Sequence, residues 1–304
     1  MRARDRTAAD HNGLLLLKKN PGLTSFESLK AVKKALSSPK VGHTGTLDKF
    51  ASGLLLVLAG SSLKLAQWFS GVPKEYQGTV LFGAETETLD PEGAITARGP
   101  LPSREDVEKV LPLFRGEILQ EPPLYSALHI NGARAHELAR AGERPEIKKR
   151  PVTIYELELL AWEAPLAKIR VTCSAGTYIR SLARDIALAA GSRAHLTELI
   201  RIRIGGFPLS DAADPDAGPE GLASSLRPVG AETFDALGLP RIAAEEEAVW
   251  AMVHGKPLAA VFGDLPDVPV LGVFGPGRAG GEELAAVLEQ KQGRWSYGHV
   301  FAGH

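Results

Sequence analysis

Strand-like and helix-like patterns follow one another in this chain without regular alternation, and this order most constrains the fold. Residues 13–19 and 74–82 have the apolar or alternating character of strands, whereas residues 25–36 place apolar side chains on one helical face. Strand patterns at 153–162 and 168–173 then follow each other with no helix between them. A doubly wound parallel sheet would need a helix after each strand, so the order predicts an α+β fold.

Length and cysteine content restrict the class of protein. The 304 residues suggest about two domains, and the lone Cys173 excludes an internal disulfide framework. The apolar stretches around Leu14–Leu17 and Leu54–Ala59 are too short to span a bilayer. The chain start contains three arginines but no apolar segment, which is not the pattern of a secretory signal. We therefore expect a cytoplasmic protein, with a disordered N-terminal tail over residues 1–12.

Basic and acidic residues are grouped in blocks, although the formal net charge is only −1. Residues 1–80 contain 12 basic and 5 acidic side chains, and residues 129–204 contain 13 and 8. Residues 81–128 contain 4 basic and 9 acidic side chains, and residues 205–304 contain 6 and 14. These counts are compatible with a local basic surface for nucleic acid and also with an uneven scatter of solvated charge.

Two segments differ in composition from the chain around them. Residues from about 120 to 151 are irregular and rich in Arg, His and Lys, which indicates an insertion between better-formed parts. Residues 211–237 begin with a run of Asp, Pro, Ala and Gly that is typical of a linker. The sequence therefore predicts a main domain over residues 13–210 and a small β-rich module over residues 238–304.

The segment Val41-Gly-His-Thr-Gly-Thr-Leu-Asp48 carries the most informative group of polar side chains. Its two glycines let the backbone turn sharply, so that His43, Thr46 and Asp48 can face one cavity. It lacks the Gly-Lys-Ser/Thr ending of a phosphate-binding loop, and one His with one Asp is too small a set for a metal site. Taken alone, the segment is also typical of a tight turn with an Asx hydrogen bond.

Two further segments carry polar groups suited to a site. In Ser174-Ala-Gly-Thr-Tyr-Ile-Arg-Ser181, Thr177 is predicted as an N-cap, which places Arg180 in the first turn of a helix. A cation there opposes the helix dipole, so it either meets an anion, for which Asp48 is the best candidate, or reaches into water. Tyr76 opens a predicted strand, where a tyrosine is more often a packing residue than a catalytic one.

Taken together and in this order, these segments resemble the TruB-type tRNA pseudouridine synthases, which modify uridine 55 in the T loop. The resemblance runs from about Gly13 to Leu209. It rests on six ordered motifs, which are Gly22-Leu-Thr-Ser25, Gly42-His-Thr-Gly-Thr-Leu-Asp48, Lys74-Glu-Tyr76, Gly83-Ala-Glu-Thr-Glu-Thr88, Pro122-Pro-Leu-Tyr-Ser-Ala127 and Gly176-Thr-Tyr-Ile-Arg180.

The resemblance implies a role for individual side chains. Asp48 corresponds to the catalytic aspartate, Tyr76 to the tyrosine that stacks against the target base, and Arg180 to the arginine paired with the aspartate. An arginine in that place keeps the carboxyl ionised by lowering its pKa. The substrate-binding residues expected from the resemblance and from the glycine-rich segment are His43, Thr46, Tyr178, Leu199, Lys19 and Lys64.

The resemblance also implies the architecture and the partners. The expected fold is a mixed, largely antiparallel sheet with a thumb-like insertion at about 120–151 and a C-terminal PUA-type module at 238–304. The expected partner is the T-arm stem-loop of tRNA, bound by a monomer without guide RNA, membrane, metal or cofactor. Isomerisation of uridine breaks the N1–C1′ bond and joins C5 to C1′, so it needs no redox group or phosphate donor.

The chain departs from the family pattern at several positions. Asn20 stands where Pro is usual, Lys49-Phe50 replaces Pro-Leu, and His129 and His136 stand where Lys and Tyr are usual in the thumb. None of these changes removes a catalytic group. The basic residues expected to face RNA phosphates are Lys18, Lys19, Lys30, Lys33, Lys34, Lys40, Arg140, Arg144, Lys148, Lys149 and Arg150.

Two other functions are compatible with the same residues. The first is an RNA chaperone that docks and refolds tRNA without modifying it. The second is a related synthase with another RNA target, such as the guide-RNA-dependent enzymes of the same superfamily.

Overall fold

A nine-stranded sheet lies at the centre of the structure, a computed structural model that describes residues 11–126, 128–130, 133–134, 138, 145–276 and 281–301. The strands in these residues are β1 (Gly13–Lys19), β2 (Val41–His43), β3 (Ser52–Ala59), β4 (Lys74–Phe82), β5 (Ala84–Thr86), β6 (Ile95–Arg98), β7 (Gly116–Gln120), β8 (His129–Ile130), β9 (Ala133–Arg134), β10 (Arg150–Glu163), β11 (Leu166–Cys173), β12 (Ala194–Ile204), β13 (Phe207–Pro208), β14 (Arg241–Ala243), β15 (Val270–Pro276), β16 (Glu282–Lys291) and β17 (Arg294–Val300).

The α-helices of the described chain cover the sheet or connect its parts. They are α1 (Ser25–Ala35), α2 (Ala66–Phe69), α3 (Arg104–Val110), α4 (Ile179–Ala189), α5 (Gly218–Ser224), α6 (Ala231–Leu237), α7 (Glu246–Val253) and α8 (Leu258–Val261). None of the helices in these residues is long and apolar enough to cross a membrane.

Some sequence predictions fall on residues that are not described. The tail predicted for residues 1–12 lies outside the described residues except for its last two positions. The insertion predicted at 120–151 is described only in part. Its residues His136, Arg140 and Arg144 lie outside the described residues. His129 is described only as part of the backbone of β8.

The central sheet is mixed but largely antiparallel. Its strands are ordered β1-β3-β12-β4-β11-β10-β7, with β2 paired to β3 and β13 paired to β12. β3 and β12 run parallel, pairing Ser52 with Ile200 and Gly53 with Arg201, and the other pairs in the sheet are antiparallel. The α+β fold and the sheet type predicted from the sequence are therefore confirmed.

Continuous apolar runs form β1 and β3 because both faces of these strands are covered. Leu15 and Leu17 pack with Leu29 and Val32 of α1, and neighbouring side chains on the opposite face pack with Phe69 and Phe234. The predicted helix at 25–36 is confirmed as α1, which begins after a capping box. In it the Thr24 hydroxyl accepts a hydrogen bond from the backbone N–H of Glu27 at 3.1 Å. α1 thereby covers the part of the sheet from which the β2–β3 connection emerges.

The C-terminal residues form a four-stranded sheet ordered β14-β15-β16-β17, which packs against the main domain. Phe234 joins the two parts, since its ring meets Phe69 at 5.7 Å and Phe274 at 5.2 Å in edge-to-face contacts. The Trp68 indole N–H also donates to a Glu289 carboxylate oxygen at 2.9 Å. The segment with linker composition, 211–237, contains α5 and α6 and includes Phe234, so it is packed rather than extended.

We predict that Phe234→Ala loosens the attachment of the C-terminal sheet. The ring is almost fully buried, and its loss should reduce the free energy of unfolding by about 3–5 kcal/mol. Urea unfolding followed by fluorescence measures this change. Phe26→Ala is the matched control because Phe26 is 65% exposed, and it should change stability far less. Equal losses in the two variants would contradict this account.

Candidate active site

Asp48 lies in the connection between β2 and β3, and this connection is held by hydrogen bonds along its length. The Thr44 N–H donates to the Leu56 carbonyl at 3.0 Å, and the Ala51 N–H donates to the Asp48 carbonyl at 3.2 Å. The buried Ser25 hydroxyl accepts from the Leu47 N–H at 2.8 Å. The glycine-rich segment is therefore a tight turn that also presents Asp48 in a fixed position.

Arg180 and Asp48 form a bidentate ion pair. Arg180 Nε donates to Asp48 Oδ2 at 2.8 Å, and Arg180 Nη2 donates to Asp48 Oδ1 at 2.9 Å. The Arg180 side chain is only 4% exposed, whereas the Asp48 side chain is 35% exposed. Two parallel N–H···O bonds fix the plane of the carboxylate as well as its position. The pairing that the sequence predicted between these residues is present in the structure.

The remaining donors of Arg180 are also occupied. Nη1 donates to the Thr88 carbonyl at 2.7 Å, and Nη2 donates to the Tyr125 carbonyl at 3.0 Å. A second carboxylate, that of buried Asp90, lies 3.3 Å from Nη1. The guanidinium is therefore held from several sides, with Asp48 as its more exposed acidic partner.

Sequence reasoning missed Asp90. The run Asp90-Pro-Glu-Gly93 predicts a turn, and the turn forms, because Asp90 Oδ1 accepts from the Glu92 N–H at 3.0 Å. The same carboxyl group also reaches Arg180, which is distant in sequence. Its role in the turn gives no sequence signal for that second contact.

The start of α4 differs from the prediction. Tyr178, not Thr177, is the N-cap, and no side chain of the capping residue bonds the helix. Instead, the buried Gln120 side chain bonds the backbone of the capping residue. It accepts from the Tyr178 N–H at 2.8 Å and donates to the Tyr178 carbonyl at 3.2 Å. The prediction of Thr177 as the cap was wrong because the capping group comes from a distant strand. Arg180 nevertheless stands in the first turn, as expected.

Burial has the larger influence on the Asp48 carboxyl. It raises the pKa of Asp48 above its ordinary value, and the charge and hydrogen bonds of Arg180 oppose that effect. The resemblance led us to expect that the arginine would dominate and lower the pKa of the carboxyl. Arg180 acts in the expected direction, but desolvation outweighs it, so the Asp48 carboxyl is a stronger base than an exposed one.

A cavity of about 660 Å³ opens beside the ion pair. Tyr76, Tyr178, Leu199 and Thr46 all line it together with Asp48 and Arg180. Burial raises the pKa of the Tyr76 phenol, which keeps the hydroxyl protonated at neutral pH. The structure thus brings six of the nine predicted site residues to one cavity, large enough to take a planar base with its sugar.

Three predicted substrate-binding residues are not in the cavity wall. His43 directly precedes residues 44–48, which line the cavity, and it is half-buried. Burial lowers the pKa of His43, and the nearby Arg201 charge lowers it to a smaller extent. Lys64 is exposed on the surface outside the cavity. Lys19 is fully buried. An RNA contact by Lys19 therefore does not fit this structure.

Lys19 instead supports the backbone beneath Asp48. Its ammonium group donates to the carbonyls of Asn20 at 3.2 Å, Lys49 at 3.3 Å and Ala51 at 2.5 Å. Burial lowers the pKa of Lys19 to about 8, and the nearby Asp48 charge partly opposes this. In turn the Lys19 charge favours the ionised form of Asp48. A lysine in an apolar strand carries no sequence signal that distinguishes this role from an RNA contact.

A metal centre receives no support from the described residues. Within those ranges, no group of three or more His, Cys, Asp or Glu side chains is arranged to hold a metal ion.

Comparison with known proteins identifies relatives of this chain. Residues 33–179 match the model of the family described as TruB family pseudouridylate synthase (N terminal domain). A curated protein from Aromatoleum aromaticum, named tRNA pseudouridine synthase B, is 42% identical over 270 residues, covering 88% of this chain and 86% of that protein. Another of that name, from Borreliella burgdorferi strain ZS7, is 46% identical over 204 residues, covering 66% and 72%.

A solved structure shares the fold. The structure described as "Crystal Structure of a Cbf5-Nop10-Gar1 Complex" superposes with a TM-score of 0.68 at 27% identity. The similarity covers 91% of this chain and 78% of that chain. The central sheet lies within residues 13–208, and 91% of the chain is more than this range, so the similarity extends beyond the central sheet.

We predict that Arg180→Gln raises the pKa of Asp48 further. The substitution removes the counter-charge while the burial of the carboxyl remains, so protonation occurs at higher pH. Carbon NMR of labelled aspartate carboxyls, followed against pH, measures the shift. Arg184→Gln is the control on the same helix, because Arg184 pairs with Asp185 instead. An unchanged or lower pKa of Asp48 in Arg180→Gln would contradict the ion pair.

The cavity, its carboxylate–guanidinium pair and the relatives agree with one another. The 42% identity to the Aromatoleum aromaticum protein extends over most of both chains. The region that matches the family model, residues 33–179, contains Asp48 and Tyr76, and Arg180 directly follows it. The chain belongs to the TruB family of pseudouridylate synthases, enzymes that isomerise uridine to pseudouridine.

Proposed function

We propose that this chain converts uridine 55 in the T loop of tRNA to pseudouridine, acting alone on the T-arm stem-loop. The bidentate Asp48–Arg180 pair beside a cavity that Tyr76 lines is the observation that carries the proposal. The relatives named tRNA pseudouridine synthase B support tRNA as the substrate.

The target base must enter the cavity before any bond changes. Taking a stacked base out of folded RNA costs a few kcal/mol. Stacking on an aromatic ring recovers about 1–3 kcal/mol of that cost, and Tyr76 is the tyrosine that the resemblance assigns to it. Leu199 and Tyr178 supply further apolar and aromatic wall. The base therefore exchanges its RNA neighbours for protein contacts next to Asp48.

Asp48 then acts on the nucleoside. A carboxylate can attack C1′, attack C6, or assist elimination across C1′–C2′, and each route cleaves the N1–C1′ bond. The freed uracil rotates, and C5 bonds to C1′. The proton lost from C5 passes to Asp48; Tyr76 acting through a water is the other candidate acceptor, but its raised pKa keeps the phenol protonated. The raised pKa of Asp48 favours the first of these acceptors.

Arg180 stabilises the charge that Asp48 carries during these steps. Its guanidinium is held by the Thr88 and Tyr125 carbonyls, so it supplies positive charge without moving. Charge fixed before the reaction costs no reorganisation when the transition state forms. The wall of this cavity, among the described residues, contains one acidic side chain, Asp48, and four basic ones, Lys74, Arg150, Arg180 and Arg201. That excess suits a nucleotide with its phosphate.

Exposed basic residues extend the proposed RNA-binding surface beyond the cavity. Of the basic residues predicted to face RNA phosphates, those described as exposed are Lys18, Lys30, Lys34, Lys40, Lys148, Lys149 and Arg150, whereas Lys33 is half-buried. In this proposal the segment at about 120–151 grips the RNA as a thumb, and the C-terminal module at 238–304 is PUA-type. Shape recognition of a folded loop combined with phosphate contacts is the common mode for such RNA.

A related synthase with another RNA target is the second candidate, and one observation favours it. The similar fold belongs to a structure whose description names Nop10 and Gar1 beside Cbf5. The two candidates separate on whether the purified chain alone modifies a bare T-arm hairpin, with sequencing to locate the modified base. Binding without modification would instead support the chaperone function, although Asp48, Tyr76 and Arg180 are all present.

We predict that Asp48→Asn lowers pseudouridine formation by roughly 10³-fold or more, because the amide is neutral and a poor nucleophile. Tritium release from C5-labelled uridine in T-arm RNA measures the rate, and filter binding should show nearly unchanged affinity. Asp185→Asn is the matched control, since Asp185 pairs with Arg184 on the same helix as Arg180. Substantial turnover by Asp48→Asn would refute the proposed function.

Binding of the T-arm should also weaken steeply as salt rises. Each phosphate contact contributes a slope of about −0.7 to −0.9 to the plot of log affinity against log salt. The double variant Lys148→Gln, Lys149→Gln should therefore give a shallower slope by about 1.5. The control double variant Arg104→Gln, Lys109→Gln removes the same charge from two exposed positions of α3. A flat plot for the unaltered protein, or equal slopes for both doubles, would rule out this surface.

A further inference from the structure

Arg201 is a buried cation whose partners belong to two different parts of the site. It lies in β12 and is 1% exposed. In the sheet register it stands opposite Tyr76 of β4 on one side and Gly53 of β3 on the other. A guanidinium this deep in a sheet needs specific acceptors to offset the loss of hydration.

The hydrogen-bond acceptors of the Arg201 side chain are two backbone carbonyl oxygens. Nε donates to the Leu54 carbonyl at 2.8 Å, and Nη2 donates to the Gly45 carbonyl at 3.1 Å. The positive charge of the guanidinium also acts on the Tyr76 phenol, where it opposes the rise in pKa that burial causes. Across the described ranges no carboxylate pairs with Arg201. Its charge is therefore not neutralised by an acid, unlike that of Arg180.

These contacts join the two groups that must act together. Gly45 belongs to the turn that carries Asp48, and Leu54 follows that turn in β3. Tyr76 comes from β4, on the far side of β12 from β3. Arg201 thus bonds the turn that carries Asp48 through its guanidinium, and stands directly opposite Tyr76 through its backbone.

We propose that Arg201 is a positioning residue that sets the distance between Tyr76 and the turn carrying Asp48. This rests on the proposed function, in which the uracil must sit against Tyr76 while Asp48 acts on the nucleoside. The planar fork of arginine serves several acceptors at fixed angles, whereas a lysine is a point charge. A misplacement of about 1 Å at a reacting centre costs about 10²-fold in rate.

The kinetic test uses Arg201→Gln and Arg201→Lys. We expect Arg201→Gln to lower the single-turnover rate of tritium release by about 10²-fold, while the dissociation constant for T-arm RNA changes less than about threefold. Arg201→Lys keeps the charge and should remain impaired. Arg203→Gln is the control on the same strand, since Arg203 is half-exposed and pairs with Glu75. Full activity of Arg201→Lys, or a loss confined to binding, would overturn the proposal.

A second measurement does not depend on activity. Thermal unfolding of Arg201→Gln, Tyr76→Phe and the double variant forms a mutant cycle. If the guanidinium holds the phenol, the double variant should unfold about 2–4 °C above the sum of the single shifts. Purely additive shifts would contradict the contact. Should Arg201→Gln fail to fold, Arg201→Lys replaces it in both tests.

The two measurements separate failure of this inference from failure of the proposed function. An unaltered protein that releases no tritium from T-arm RNA refutes the proposed function, and the unfolding cycle still decides whether Arg201 holds Tyr76. An active protein with an additive cycle refutes the role of Arg201 alone.

Discussion

The candidate site depends on one carboxylate, that of Asp48, which is held in a fixed position beside the cavity. Asp48 is desolvated enough to raise its pKa, and the carboxylate is tolerated because Arg180 bonds both of its oxygens. Arg180 is in turn fixed by the Thr88 and Tyr125 carbonyls and by Asp90. Arg180 is almost fully buried, and leaving a buried charge without its partner costs far more than the pair itself contributes to stability. The strands and turns that converge there therefore position one ion pair beside the cavity.

Local patterns predicted the elements well, because they depend on neighbours along the chain. The strand at Lys74–Phe82 was predicted from alternation, and the helix that begins at Ser25 from apolar residues at helical spacing. The strand order could not be predicted in the same way, since the parallel pairing of β3 with β12 joins segments about 150 residues apart. Without that pairing, nothing in the sequence places Gly53 against Arg201.

The residues of the candidate site also divide into those that sequence motifs predicted and those whose contacts depend on distant segments. The ordered motifs predicted Asp48, Tyr76 and Arg180, and the structure brings all three to one cavity. Asp90 was missed because its visible pattern describes a turn, and Lys19 was expected at the RNA because its burial cannot be read from charge. Gln120 gives the start of α4 its hydrogen bonds from a distant strand, which replaced the predicted cap at Thr177. Each miss involves a side chain that contacts a segment distant in sequence.

The pairing of Gln120 with Arg150, where β7 meets β10, has a consequence for how this chain can vary. The described residues that follow Gln120 and precede Arg150, 121–126 and 145–149, lie outside the central sheet, and the two strand positions oppose each other directly, about 5 Å apart in an antiparallel pair. Doubling the length of such a loop costs only about 0.6 kcal/mol in closure entropy. The segment can therefore lengthen or shorten beyond its contacts with α4 while the register of the sheet is kept, so its length can vary without displacing the Asp48–Arg180 pair.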